Sequence, residues 1–199
     1  HGGVSDTNSH PHTAGRVTLI HNGIIENYQE LQRELEEKGK RPVSQTDSEI
    51  AAMVIDDCYQ GDPEEAIRLA TGKLTGAYGF CIMFEDIPET IYAVRSGSPL
   101  VAAHTERGSI IASDMVALVS HTKHYFVLQE NHIAKITKDE ILVKNEYGDL
   151  YGPTIHHISW DVGAAKKGGY DYFMMKEIHE QPEALRNTIT PRVVHGMPD

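Results

Sequence analysis

Apolar and polar positions change their spacing along the chain, and each change marks a change of element. Residues 17–20 (Val, Thr, Leu, Ile) predict a strand that ends in His21, Asn22 and Gly23. After residues 24–26 the period becomes helical. Asn27 and Glu30 have capping-box spacing, Leu31 and Leu35 share a face, and Gly39 supplies the stop. A second helix follows, with Thr46 and Glu49 at capping distance and Ile50, Met53, Val54 and Cys58 on one stripe. Asp62-Pro63 begins a third, with Ile67, Ala70 and Leu74 inward.

After Gly76 the pattern shortens. The runs AYGFCIMFE, TIYAVR, PLVAAH and SIIAS, separated by DIPE, SGS and TERG, predict short antiparallel strands. A helical turn or two is expected over 115–119, and more strands at YFVLQ, HIAKITK, EILVKN and HHISW. Residues 161–169 have the composition of a linker. The tail from Tyr170 is helical, with Pro182 ending or kinking it. Helices, then strands, then a helix predict a layered α+β domain.

Composition narrows the function. A net charge of −11 argues against nucleic acid or an anionic membrane surface as main partner. No stretch approaches the roughly 18 apolar residues of a membrane helix, and no signal peptide opens the chain. Cys58 and Cys81 lie inside apolar patterns and are expected to be reduced, as in a cytoplasmic protein without disulfides.

The candidate chemistry is polar. Asn22-Gly23 is a strong turn signal, but an Asn amide beside a glycine N–H is also a donor pair suited to a developing oxyanion. Asp47 opens a helix, where the dipole favours a carboxylate; it also has the charge to receive an ammonium group. Of the twelve histidines, His156 and His157 would point to opposite faces of a strand, and His10 and His12 have no third ligand at a recognised spacing, so no metal site is expected. Arg95, at a strand end, suits a structural ion pair or an anion. Neither a GxGxxG or P-loop pattern after a strand nor a GxSxG motif is present.

Eight segments in register carry a resemblance. HG at 1–2, NSHPH at 8–12, HNGIIEN at 21–27, TDSE at 46–49, GAYGF at 76–80, RSGSPLV at 95–101, ASD at 112–114 and KEIHEQP at 176–182 closely resemble the glutaminase domain of the glucosamine-6-phosphate synthase family, also called glutamine–fructose-6-phosphate aminotransferases. The resemblance implies the four-layer αββα sandwich of N-terminal-nucleophile hydrolases, as in class-II glutamine amidotransferases. It implies glutamine as substrate and ammonia as product, passed to a sugar isomerase domain, with no cofactor and a homodimeric parent protein. Asn22 and Gly23 match the family's oxyanion hole, Asp47 the group holding the glutamine α-ammonium, and His1 a pocket-lining histidine. Together these residues are expected to face one cavity.

The resemblance also implies that residues 1–175 are part of that domain and 176–199 the start of a linker helix. Family members carry, upstream of the histidine-glycine pair, an H-T-R-W segment that grips the substrate carboxylate, the first strands and the N-terminal nucleophilic cysteine. These 199 residues contain none of them, so the chain alone is expected to lack its first strands, to expose apolar sheet surface and to be inactive. Two alternatives stand beside this reading: another class-II amidotransferase, such as an amidophosphoribosyltransferase, or a non-catalytic binding module on the same fold.

Overall fold

The computed structural model describes residues 2–159, 168–194 and 197–198. It divides into two units, residues 1–158 and 159–199. In the first unit, β1 (His12–Ala14) and β2 (Val17–Ile25) form a hairpin, followed by α1 (Tyr28–Glu37), α2 (Asp47–Cys58) and α3 (Pro63–Thr71). Strands follow: β3 (Gly76–Phe84), β4 (Ile87–Ser96), β5 (Val101–Thr105), β6 (Gly108–Ala112), β7 (His124–Val127), β8 (Ile133–Ile136), β9 (Ile141–Lys144), β10 (Leu150–Tyr151) and β11 (His156–His157). One antiparallel sheet has the order β1-β2-β3-β4-β8-β9-β10, and a second has the order β11-β7-β5-β6.

Three layers result. The helices lie on one face of the larger sheet, where Leu31, Leu35, Ile50, Ile55 and Ile67 pack on Leu19, Ile25, Phe80 and Ile82. Elsewhere Ala93, Ala134, Ile136 and Val143 of that sheet pack on Ala102 and Phe126 of the smaller one. This is the αββ part of the expected sandwich.

Several local expectations change in the folded chain. Strand β2 does not stop at Ile20; it runs to Ile25, with Asn22 opposite Gly79 and Gly23 opposite Tyr78. The Asn-Gly pair is therefore inside a ladder rather than in a turn. Pairing with β3 absorbs the positive φ of Gly23 (138°), which a turn would otherwise have used. Asn27 occupies the N-cap position of α1 but makes no side-chain cap there. Instead its amide donates to the Lys73 carbonyl and accepts from the Thr75 N–H, tying α1 to the start of β3. Thr46 caps α2 through the Glu49 N–H, as its spacing predicts. The Glu49 carboxylate does not complete the box; it accepts from the Val43 and Ser44 N–H groups and fixes the loop before α2.

Ile20 and Ile24, on the face of β2 away from the helices, are each 51% exposed, so apolar sheet surface is uncovered there. The second unit contains α4 (Phe173–Ile189), which continues through Pro182. The expected boundary at residue 176 falls inside this helix. Most of the expected linker, residues 161–167, lies outside the described residues.

Candidate active site

The candidate site is built on the edge of β2. Strand β1 covers that edge only as far as Leu19. At the two ends of the β2–β3 ladder, Glu26 N–H donates to the Thr75 carbonyl and Glu85 N–H to the Arg16 carbonyl. Hydrogen-bonded pairs alternate in an antiparallel ladder, so the odd-numbered residues of β2 turn their N–H groups away from β3. Two of these groups meet side chains. His21 N–H donates to His10 Nε2 at 3.3 Å, and Ile25 N–H donates to Asp47 Oδ2 at 2.8 Å. Gly23 N–H points between them.

Gly23 is a backbone requirement. A Cβ placed there would lie 2.0 Å from the Ala77 carbonyl oxygen, and one on Gly76 would lie 2.2 Å from the Ile24 carbonyl oxygen. Two glycines thus let β2 and β3 approach closely beside the candidate donor.

Asp47 is the first residue of α2 and is 2% exposed. Its burial is offset by the Ile25 N–H and by the dipole at the helix start. His21, 8% exposed, faces the helices: its Nδ1 lies 2.9 Å from Ser48 Oγ, and its ring meets Phe80 edge-on with centroids 4.9 Å apart. Its Nε2 is buried without a hydrogen bond of good geometry. His12 is buried on the same side, against the Thr46 hydroxyl.

The predicted residues are only partly brought together. Asp47 bonds the same edge of β2 that carries the Gly23 N–H, two residues along at Ile25. Asn22 is exposed and alternates to the face opposite His21, beside Ile20 and Ile24, rather than to the face that carries Asp47. His1 lies outside the described residues. Arg95 takes the structural role: its guanidinium bonds the Ser98 and Leu128 carbonyls and pairs with Glu130, which also accepts from Gly97 N–H. Among the described residues, no three His, Cys, Asp or Glu side chains gather at metal-binding spacing, and no helix is long and apolar enough to cross a membrane.

Residues 4–120 match the family described as a glutamine amidotransferase domain. The chain belongs to the glutamine amidotransferase family. Its likeness to curated relatives runs nearly end to end. A glutamine–fructose-6-phosphate aminotransferase (isomerizing) of Clostridium tetani is 41% identical over 198 residues, and one of Symbiobacterium thermophilum is 43% identical over 195. The alignments cover 98% and 97% of this chain but 33% and 32% of those relatives, so the chain spans about a third of their length.

The fold is shared more widely. A glutamine phosphoribosylpyrophosphate amidotransferase from B. subtilis, complexed with ADP and GMP, superposes with a TM-score of 0.59 at 22% identity, over 69% of this chain and 31% of that one. A glutamine aminotransferase class-II domain protein from Silicibacter pomeroyi gives 0.51 at 17%, over 71% and 72%. The expected α+β fold of the class-II glutamine amidotransferases is thereby borne out.

Two buried histidines of the amidotransferase chain, His12 and His21, have their pKa values lowered. Burial lowers the pKa of His21 below its ordinary 6.5, Asp47 opposes it, and the nearby His10 and His12 imidazoles act in the same direction as burial. His12 is lowered for the same first reason, with Glu49 and Asp47 opposing. Between the ordinary and the lowered values the unfolded chain binds more protons than the folded one, so stability present above the ordinary value is lost as pH falls. Urea unfolding is expected to show a falling midpoint from about pH 7.5 to about pH 5, with His21→Asn removing part of the slope. An unchanged slope in that variant would exclude His21 as a contributor.

His21 was not singled out from the sequence. Its signal was available: it continues the inward alternation of Val17 and Leu19, where a histidine on a core face calls for a partner.

Proposed function

We propose that the chain is the glutaminase portion of a glutamine–fructose-6-phosphate aminotransferase, which releases ammonia from glutamine for the synthesis of glucosamine 6-phosphate by a sugar isomerase domain. One observation carries the reading of the site: the Asp47 carboxylate, 24 residues from Gly23 in sequence, accepts from the Ile25 N–H on the same edge of β2 as the Gly23 N–H. In this reading Asp47 holds the glutamine α-ammonium. The Gly23 N–H donates to the oxyanion formed when a nucleophile attacks the side-chain amide. The Asn22 amide, one peptide away on the outer face, is assigned as the second donor.

The identity of 41–43% with curated aminotransferases supports this parent reaction. The phosphoribosylpyrophosphate amidotransferase fold, at 22% identity, supports the class alone. The nucleophile of such chemistry is a cysteine whose own α-amine serves as base. Neither cysteine here suits it: Cys58 is in α2, and Cys81 is inside β3 with burial pushing its thiol up to about 11.

The 199 residues alone are expected to release no ammonia from glutamine. The same residues extended upstream to a processed N-terminal cysteine are expected to release it, with fructose 6-phosphate amination following when the isomerase domain is present. Coupled ammonia assays on the two proteins decide the matter. Turnover by the unextended chain, or none by the extended one, overturns the proposal.

A further inference from the structure

Strand β2 and helix α2 are tied together at two places, symmetrically about Gly23. On one side the Ile25 N–H donates to Asp47 Oδ2 at 2.8 Å; on the other, His21 Nδ1 lies 2.9 Å from Ser48 Oγ. His21 and Ile25 are each two residues from Gly23, and Asp47 and Ser48 are adjacent in the first turn of α2. Side chains two residues apart in a strand share a face, so His21 and Ile25 both reach the helix while the Gly23 N–H stays in the plane of the sheet.

We propose that His21, through its Nδ1–Ser48 hydrogen bond, is a positioning residue that fixes the spacing between the Gly23 N–H on β2 and the Asp47 carboxylate on α2. The proposal rests on the glutaminase reading of those two groups and adds the part that sets their distance. His21 touches neither group's ligand in this account; it acts through the register of strand against helix.

The chemistry suits a fixed strut. The residue is held at three points: Ser48 at Nδ1 and Phe80 against the ring fix the imidazole, and His10 accepts from the backbone N–H. His21 Nδ1 and Ser48 Oγ, 2.9 Å apart, share one hydrogen bond whose direction follows the ring tautomer. Removing one side chain leaves the other a buried polar group without its partner, and one of the two ties between β2 and α2 about Gly23 is lost.

The test uses the full-length gene product that contains these residues, with steady-state glutamine hydrolysis resolved into kcat and KM. His21→Leu and Ser48→Ala are each expected to lower kcat/KM by about tenfold, with kcat falling and KM rising together because both groups lose their spacing. The double variant should lose no more than either single one, since both remove the same bond. His21→Asn, whose amide can stand in for Nδ1, should recover most of the loss.

A merely structural role predicts something else: lower melting temperatures in all variants, but unchanged kcat and KM per folded active site, and no selective rescue by asparagine. That result overturns the positioning role. Additive losses in the double variant also overturn it, because the two side chains then act separately. If the wild-type protein hydrolyses no glutamine, the glutaminase reading itself fails, a separate and recognisable outcome.

Discussion

Gly23→Ala is expected to be the most damaging single-methyl change in the first unit. The added Cβ would stand 2.0 Å from the Ala77 carbonyl oxygen and 2.9 Å from the Tyr78 Cα. Both are backbone atoms of β3, the neighbouring strand, and cannot turn aside as a side chain would. The residue is also at φ 138°, which alanine rarely adopts. Strain and clash together should cost on the order of 3 kcal/mol or more. For a chain of this size that corresponds to a fall of roughly 6–12 °C in melting temperature.

Gly39→Ala is the matched control. Its φ is 80°, but nothing lies within 4 Å of the added methyl, so only the backbone strain remains, about 1 kcal/mol. Thermal unfolding followed by circular dichroism separates the two. A Gly23→Ala protein that melts with the Gly39→Ala control would show that β2 and β3 can part at no great cost, and the fixed position of the Gly23 N–H would be lost with that result.

Asn22→Ala and Asp47→Ala should fail in opposite ways in the protein extended to its N-terminal cysteine. An oxyanion exists only in the transition state and the intermediates. Loss of its amide donor should therefore lower kcat by about 10²–10³-fold with little change in KM. The α-ammonium is present throughout, so Asp47→Ala should chiefly raise KM. Asp47 also accepts the Ile25 N–H, and its removal leaves that donor at the sheet edge, so a drop in stability should accompany the kinetic change. Ammonia release measured against glutamine concentration reads both parameters. The Asn22 result bears directly on the geometry, because its side chain stands on the outer face of β2. An unchanged kcat in Asn22→Ala would leave Gly23 as the candidate donor and remove Asn22 from the role.

Local patterns determined much of what this chain is. Thr46, Asp62 and Asp114 sit one residue before their helices and cap them, because a side-chain oxygen at that position satisfies N–H groups that the helix cannot. The strands after Gly76 were legible from their alternation and punctuation, since one face of each had to be apolar. The ordered set of eight segments pointed to a glutamine amidotransferase because each preserves a local chemical pattern at its own spacing.

What needed the tertiary structure was everything set by partners distant in sequence. Asn22-Gly23 is a turn signal when only its own dihedral preferences are considered; β3 pairs along the whole of residues 17–25 and holds the dipeptide inside a strand. Asn27 has the spacing of a cap, yet the Lys73 carbonyl and Thr75 N–H are better placed to use its amide. Only the fold brings Asp47 to the edge of β2 that carries the Gly23 N–H and joins His21 to Ser48. Those pairings lie 24 and 27 residues apart in sequence, well beyond the reach of helical or strand periodicity, and they exist because the core brings α2 against β2.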